Sequence, residues 1–172
     1  MYKKNQEIKS ASFENEFLVT VVGSEVSQQI NLQKHVQISI ELRQMSCSGE
    51  CDFVQLQMDA GVEVKQVRVV KMHNSYYVII ARSGLDEGIE IRRIDDGHVT
   101  ESRLVQMSCF NARTGRAMSL TDIHIMKRVI TSAQMVNQVE VWVGLNFEHS
   151  SVSFLKVEEL IMQNGVFRLD NA

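Results

Sequence analysis

The sequence contains no proline among its 172 residues, whereas an average usage of about 5% would supply roughly eight or nine. Proline lacks a backbone donor and is excluded from central strands. Valine, which suits a pleated and half-buried surface, supplies 22 residues. The two counts together predict long, regularly hydrogen-bonded strands, but they indicate no chemistry.

Long apolar runs, clustered basic residues and a secretion signal are also missing. The longest dense apolar stretch, 76–81, has six residues, far below the roughly 18 of a membrane span. The 18 basic residues are scattered and the net charge is −3, which argues against the basic patch of a nucleic-acid binder. The N-terminus has no apolar segment typical of a signal peptide. We therefore expect synthesis in the cytoplasm, no nucleic-acid partner and no membrane span.

Cysteine is scarce as well, and its spacing gives weak support to a metal site. Cys47 and Cys51 flank a short loop, and Cys109 lies far along the chain. An odd number does not form a disulfide framework. A zinc site uses four ligands, often from two such pairs, so His73 or His98 would have to complete this one. Reduced thiols are the favoured interpretation, a small disulfide loop is the alternative, and no metal or cofactor is predicted.

No pattern in the sequence indicates catalysis. Neither a Gly-x-Ser-x-Gly elbow nor a phosphate-binding glycine loop occurs. Asp95 and Asp96 are adjacent acids, which on a strand would point to opposite faces, so we interpret them as turn residues. Arg92 and Arg93 are interpreted as part of a solvated face. The histidines never pair at ligand spacing and are interpreted as ordinary polar positions: His35, His73, His98, His124 and His149.

Alternation of apolar and polar residues predicts strands through most of 16–110. It is strict within 36–45, where Val36, Ile38, Ile40 and Leu42 share one face. Within 62–69 the alternation slips at Lys65 and Gln66, which predicts a β-bulge. Residues 23–25 predict a turn.

One strand is predicted to be buried on both faces. The run 76–81 is apolar throughout, which is typical of a central strand. Its Tyr76 and Tyr77 are expected at the core and its rim, rather than as a stacking platform for bases. Asp96 and Gly97 form the dipeptide that hairpin turns favour, so 99–110 is expected to return as a paired strand.

The last third of the chain mixes helical and strand patterns. Apolar residues recur at three or four residue spacing over 120–135, and this pattern predicts a helix. The Ile, Val and Thr content of the segment leaves a strand as the alternative. Alternation over 139–147 predicts a strand with Trp142 on the face opposite its apolar residues. A second short helix is predicted over 153–164 and a last edge strand over 166–169.

These elements predict a mainly β fold, an antiparallel β-sandwich or partly open barrel, with one or two helices in the C-terminal third. Residues 1–15 are polar and have no apolar periodicity. They are predicted to be an N-terminal arm, which is either disordered or docked on a neighbour. Residues 16–172 are predicted to be a single domain.

Three hypotheses about function follow. The leading one is a non-enzymatic structural subunit of a large assembly, whose partners are itself or other subunits. It depends on the missing catalytic pattern, the arm and amide-rich strand faces. Glutamine supplies 13 residues, and desolvation costs less free energy for an uncharged amide than for a charged group. Small adaptor or baseplate proteins of tailed-phage virions have this general composition, although no motif indicates them.

The other two hypotheses belong to different classes. The second is a β-barrel or sandwich module that binds a small molecule, peptide or carbohydrate, and a pocket lined by Trp142, Tyr76 or Tyr77 would favour it. The third is a metal-dependent enzyme that uses Cys47, Cys51 and Cys109 with a histidine.

Overall fold

The computed structural model describes residues 6–14, 16–27, 34–45, 51–72, 74–84, 87–111, 113–118, 120–132, 135–147, 151–156 and 166–171. Within these ranges the chain forms thirteen β-strands and no helix. Every strand pair is antiparallel except the one between the last strand and the eighth. The prediction of a mainly antiparallel β protein is confirmed.

The strands form three sheets. The first has four strands in the order β1-β2-β3-β4, with bounds Gln6–Glu14, Phe17–Ser27, Lys34–Met45 and Cys51–Gln57. The second has the order β13-β8-β7-β6-β5, with β9 also paired to β8, and bounds in chain order Val62–Met72, Ser75–Gly84, Gly88–Asp95, His98–Asn111, Ala117–Met118 and Val166–Asn171. The third has the order β10-β11-β12, with bounds Leu120–Ser132, Met135–Phe147 and Ser151–Lys156.

The first two sheets share one hydrophobic core. The alternation predicted in β3 places Ile40 and Leu42 in this core, and both are fully buried. They pack with side chains from β6 such as Val78 and Ile80, which belong to the second sheet. Burial of one apolar face per sheet is what holds two such sheets together. The buried members of the shared core are Phe17, Val19, Val21, Ile40, Leu42, Val54, Leu56, Met58, Val62, Val67, Val69, Val78, Ile80 and Ile94.

The predicted β-bulge lies in β5. The pairing of β5 with β6 shifts register between Val64 and Gln66. One extra residue restores the phase of the strand, so Val62 and Val69, on either side of the bulge, both reach the shared core. This prediction is confirmed.

The central strand is also confirmed, because β6 lies between β5 and β7. Ile80 faces the shared core, and Ile79 on the opposite face is equally buried, with no exposed surface. The third sheet approaches the second at β5, where the backbone N–H of Ile125 donates to Gln66 Oε1 at 3.1 Å. The predicted alternation of β11 is correct as well, since Val141 and Val143 are buried and Trp142 between them is half-buried.

The helix predicted over 120–135 is wrong for residues 120–132, which form β10. This strand pairs with β11 along nearly its whole length, from Leu120 opposite Phe147 to Ser132 opposite Met135. β-Branched residues fit a pleated sheet better than a helix, and the long partner strand β11 supplies the hydrogen bonds. Of the second predicted helix, 153–156 belong to β12, and 157–164 lie outside the described residues. The predicted last strand is confirmed as β13, parallel to β8.

Two expectations near the N-terminus need correction. Residues 6–14 of the predicted arm form β1, which is hydrogen-bonded to β2, while the division into an arm and one domain stays a prediction. The turn predicted at 23–25 is wrong, because these residues continue β2. The glycine at position 23 instead lets the side chains of Lys9 and Val36 pack closely against β2, because a Cβ there would lie 3.0 Å from Lys9 Cε and 3.1 Å from Val36 Cγ1.

Candidate ligand cleft and exposed strand edge

A cleft of about 220 Å³ opens between the first and second sheets. It is called the Tyr76 cleft below. Buried side chains of the shared core form its apolar part, and polar groups from Gln44 and the β7–β8 turn line the rest. The lining residues are Phe17, Gln44, Val54, Tyr76, Ile94, Asp96 and Gly97.

A carboxylate organises one side of this cleft. Glu16 Oε2 accepts hydrogen bonds from the Tyr76 hydroxyl at 3.0 Å and from Gln44 Nε2 at 2.9 Å. These two bonds, together with the charge of Lys71, hold the pKa of Glu16 below its ordinary value. Burial and the nearby Glu16 carboxylate raise the pKa of Tyr76. Glu16 is therefore ionised and Tyr76 is a neutral donor at neutral pH.

The ring of Tyr76 is held by two further contacts. The Phe17 ring meets it edge to face, with centroids 4.9 Å apart and an angle of 83°. The Lys71 ammonium lies 5.5 Å from its centroid, within the range of a cation–π interaction. The ring is thus fixed in the wall of the cleft, which agrees with its predicted place at the rim of the core. Tyr77 is buried and lines neither of the clefts described here.

The opposite side of the cleft is the predicted β7–β8 hairpin turn. Asp96 and Gly97 have φ angles of 50° and 76°, as a tight hairpin turn requires. Asp95 accepts a hydrogen bond from Thr100 Oγ1 at 2.8 Å, and hydrogen bonds from the hydroxyls of Ser75 and Thr100 lower its pKa. The Asp96 side chain is exposed. Asp96 is a turn residue, as expected, whereas Asp95 is the last residue of β7 and lies opposite His98.

A second cleft of about 420 Å³ lies between the first sheet and the start of β5. Apolar side chains such as Val36 and Ile38 line it, and Lys9 and Glu63 supply one charge of each sign. Val36 is half exposed, at 50%. This cleft is an open apolar groove without an arrangement of polar groups that selects a ligand.

The edge strand β1 exposes nearly all of its described side chains. It has a hydrogen-bonded neighbour on one side only, since β2 is the one described strand that pairs with it. Every side chain from Glu7 to Phe13 is exposed, and Phe13 and Ile8 have 73% and 48% of their surface accessible. An unpaired edge with exposed apolar side chains is a template for adding another strand.

A buried ion triad lies on the face of the second sheet that meets the first. Glu90 accepts from Arg82 Nη1 at 2.8 Å and from Arg92 Nε at 2.6 Å, and Arg92 Nη2 donates to the Gln57 carbonyl in β4 at 3.0 Å. The side chains of Arg82 and Glu90 are only 3% and 5% exposed. The interpretation of Arg92 as a solvated residue is therefore wrong, because its cross-strand neighbours and β4 enclose it.

The only tryptophan lies in a smaller polar cluster on the third sheet. Trp142 Nε1 donates to Glu140 Oε2 at 3.1 Å, and Lys156 Nζ donates to Glu140 Oε1 at 2.7 Å. The same ammonium lies 5.2 Å from the Trp142 ring centroid. The hydrogen bonds from Lys156 and Trp142 lower the pKa of Glu140. Trp142 thus interacts with Glu140 and Lys156 of the third sheet and lines neither cleft.

Two of the five residues named for a possible metal site lie outside the described residues. Cys47 and His73 lie outside the described ranges, while Cys51 starts β4 and Cys109 belongs to β8. His98 is exposed next to the β7–β8 turn. Among the side chains that are described, no group of three or more His, Cys, Asp or Glu could hold a metal ion.

Comparison with known proteins adds no relative. No protein-family model matches the chain, and neither a curated protein nor a solved structure matches it significantly. In the part of the chain that is described, no helix is long and apolar enough to cross a membrane. The function of the chain is therefore inferred from its own geometry and composition.

Proposed function

We propose that the protein is a non-enzymatic structural subunit of a larger protein assembly, and that it docks on a neighbouring subunit through β1. The observation that carries this proposal is the exposed edge of β1. Main-chain donors and acceptors on such an edge give affinity, and side chains beside it give specificity. In this proposal the layered sheets form a sandwich that holds the edge rigid.

The uncharged half of β1 is the part that suits an interface. Charged side chains on an edge discourage pairing with other chains, and Glu7 and Lys9 occupy the first half of β1. From Ser10 to Phe13 no side chain is charged, and Phe13 is the most exposed large apolar residue described. Aromatic residues are enriched in the energetically dominant part of interfaces, so Phe13 is the expected anchor.

The opposite edge of the same sheet supports the proposal through its composition. Gln55 and Gln57 in β4 point outward and are exposed. Desolvation costs less free energy for an amide surface than for a charged one, so an amide surface tolerates burial between subunits.

We propose that the assembly is a tailed-phage virion, in which the protein is a tail, baseplate or adaptor component. The support for this class is the composition of the chain. Synthesis in the cytoplasm stays a prediction.

Replacing Phe13 by lysine is expected to weaken assembly by about 30-fold, because the loss of an aromatic anchor costs about 2 kcal/mol. Analytical ultracentrifugation over a range of concentrations measures this change. Val99→Lys is the matched control, since Val99 is a 41% exposed apolar residue in another sheet. Equal assembly of F13K, V99K and wild type would contradict docking through β1.

Deleting residues 1–12 is expected to weaken assembly and to leave folding intact. The side chains of 7–12 are exposed and contribute nothing to the shared core, so the sheets keep their apolar contacts. Urea unfolding followed by circular dichroism measures cooperativity, and sedimentation measures assembly. Loss of soluble, cooperatively folding protein on this deletion would contradict a docking role for the segment.

A binding module is the second candidate, and one observation favours it. Tyr76, a residue that would support this hypothesis by lining a pocket, does line a cleft. The metal-dependent enzyme stays a prediction without support, because no group of three or more described His, Cys, Asp or Glu side chains could hold a metal ion.

A further inference from the structure

We infer that the Tyr76 cleft binds a small organic cation, an alkylammonium or guanidinium group carried on a short aliphatic stem. This binding is separate from docking through β1 and does not depend on it. The inference depends on three properties of the cleft. They are carboxylates at or beside its lining (Asp96 lines it, and Glu16 binds the lining residues Tyr76 and Gln44), an apolar and aromatic wall, and a small volume.

The first property is the negative character of the mouth. Glu16 Oε2 receives both described donors, and Glu16 Oε1 has no hydrogen-bond partner within the described ranges. The Asp96 carboxylate on the opposite side is exposed and likewise has no ion pair there. None of the seven lining residues is basic. Ionised carboxylates make their strongest hydrogen bonds with cationic donors, so the mouth favours a positive group.

The second property is the wall behind these oxygens. Phe17, Val54 and Ile94 are at most 8% exposed and form an apolar floor, which suits methylene groups. The electron-rich face of Tyr76 attracts cations, as the position of the Lys71 ammonium 5.5 Å from its centroid shows. Lys71 does not line the cleft, but its charge competes with that of a ligand. A cationic ligand should therefore bind more tightly when Lys71 is removed.

The third property is size. The volume of about 220 Å³ is below the roughly 300–1,000 Å³ of sites for drug-sized ligands. A stem of four or so carbons with one charged group suits this space. Such a group occurs in free amines and guanidines and also at the end of lysine and arginine side chains of another protein. The chemistry is the same for both sources, so the experiment must separate them.

The test is a titration of the full chain, followed by NMR chemical shifts or calorimetry. The free probes are n-butylammonium and butylguanidinium, and the protein-borne probes are N-acetyl-lysine and N-acetyl-arginine methylamides. Butanoate and n-butanol are the charge controls. We expect saturable binding of cations only, and the tighter pair of probes identifies the source. Equal binding of n-butanol, or no saturable binding of any cation, would overturn the inference.

Three variants locate the binding. Glu16→Gln is expected to weaken cation binding about threefold to tenfold, because it removes a charged acceptor. Lys71→Met is expected to strengthen it about twofold to fivefold, because it removes a competing charge. Asp59→Asn is the matched control, since it removes one exposed carboxylate in the β4–β5 turn, whereas Glu16 binds the lining residues Gln44 and Tyr76; D59N should leave affinity unchanged. Weaker binding in K71M, or equal loss in D59N and E16Q, would contradict the site.

Acid should weaken binding. The ligand binds more tightly to the ionised form of Glu16, whose pKa is lowered by the hydrogen bonds from Tyr76 and Gln44. Affinity is therefore expected to hold at neutral pH and to fall only as the pH drops through this lowered pKa. In E16Q that part of the pH dependence should disappear. Because F13K leaves the cleft intact, its cation affinity should equal that of wild type, so failure of either proposal leaves the other standing.

Discussion

Replacing Glu90 by glutamine is expected to lower the free energy of unfolding by about 3–5 kcal/mol. The substitution keeps the volume of the side chain and removes its charge. Arg82 and Arg92 would then remain as two guanidinium groups between the first two sheets, where Arg82 is 3% exposed and Arg92 is 16% exposed. Both guanidinium groups would lose the buried carboxylate that they share, and removal of one partner from a buried ion pair is strongly destabilising. Urea unfolding gives the free energy directly.

The chain offers a close control for this prediction. Glu101 and Arg103 form the same pairing along β8, with a separation of two residues and a distance of 2.9 Å. Their side chains are 40% and 33% exposed, so solvent screens the pair. Glu101→Gln is expected to change stability by less than about 1 kcal/mol. Equal effects of E90Q and E101Q would show that the triad is not buried as described.

Truncation of the central strand β6 is expected to produce the second large effect. Ile79→Ala and Ile80→Ala should each lower the free energy of unfolding by about 2–5 kcal/mol, through lost burial and the cavity left behind. The two side chains point to opposite faces, and both are fully buried. Large effects at adjacent residues of one strand are therefore the signature of a sheet that is covered on both faces.

Val99→Ala is the control for these truncations, because Val99 is 41% exposed in β8. Its effect is expected to stay within about 0.5 kcal/mol, as for most surface substitutions. Thermal or urea unfolding of the three variants measures the difference. A small effect of I79A beside a large effect of I80A would mean that one face of the second sheet is open to solvent.

The strands could be predicted from sequence where burial alternates. Over 36–42 in β3 and 139–147 in β11 every second residue is apolar, and this pattern fits a strand that is buried on one face. The bulge at Lys65 was predictable for the same reason, because a change of phase between valines is visible along the chain. The edge strand β1 was not, since all of its described side chains are exposed or half-buried and its pairing with β2 depends on the backbone.

The error at β10 has a specific cause. Apolar residues at 120, 123, 126 and 130 fit the spacing of a helix face, and those at 123, 125 and 129 also fit one face of a strand. Periodicity alone does not separate these cases. The β-branched content favoured the strand, but the deciding term is the pairing with β11, which is nonlocal and therefore absent from any local pattern.

The sites depend even more on strand register. Arg82, Glu90 and Arg92 are polar residues in alternating positions, which is what a solvated strand face also shows. They meet because Ile80 pairs with Glu90 and Val78 pairs with Arg92 across β6 and β7, and because β4 covers them. Tyr76 was recognised as a rim residue, but its partner Glu16 lies 60 positions earlier, and only the fold brings the two together.

Native mass spectrometry of the purified protein, alone and with its natural partners co-expressed, tests the central claim most directly. The proposed function predicts complexes of several copies or a stable hetero-complex, and it predicts that Phe13→Lys dissociates them while Val99→Lys does not. A species that stays at the monomer mass of 19.6 kDa at every concentration and with every partner would contradict a structural subunit that docks through β1.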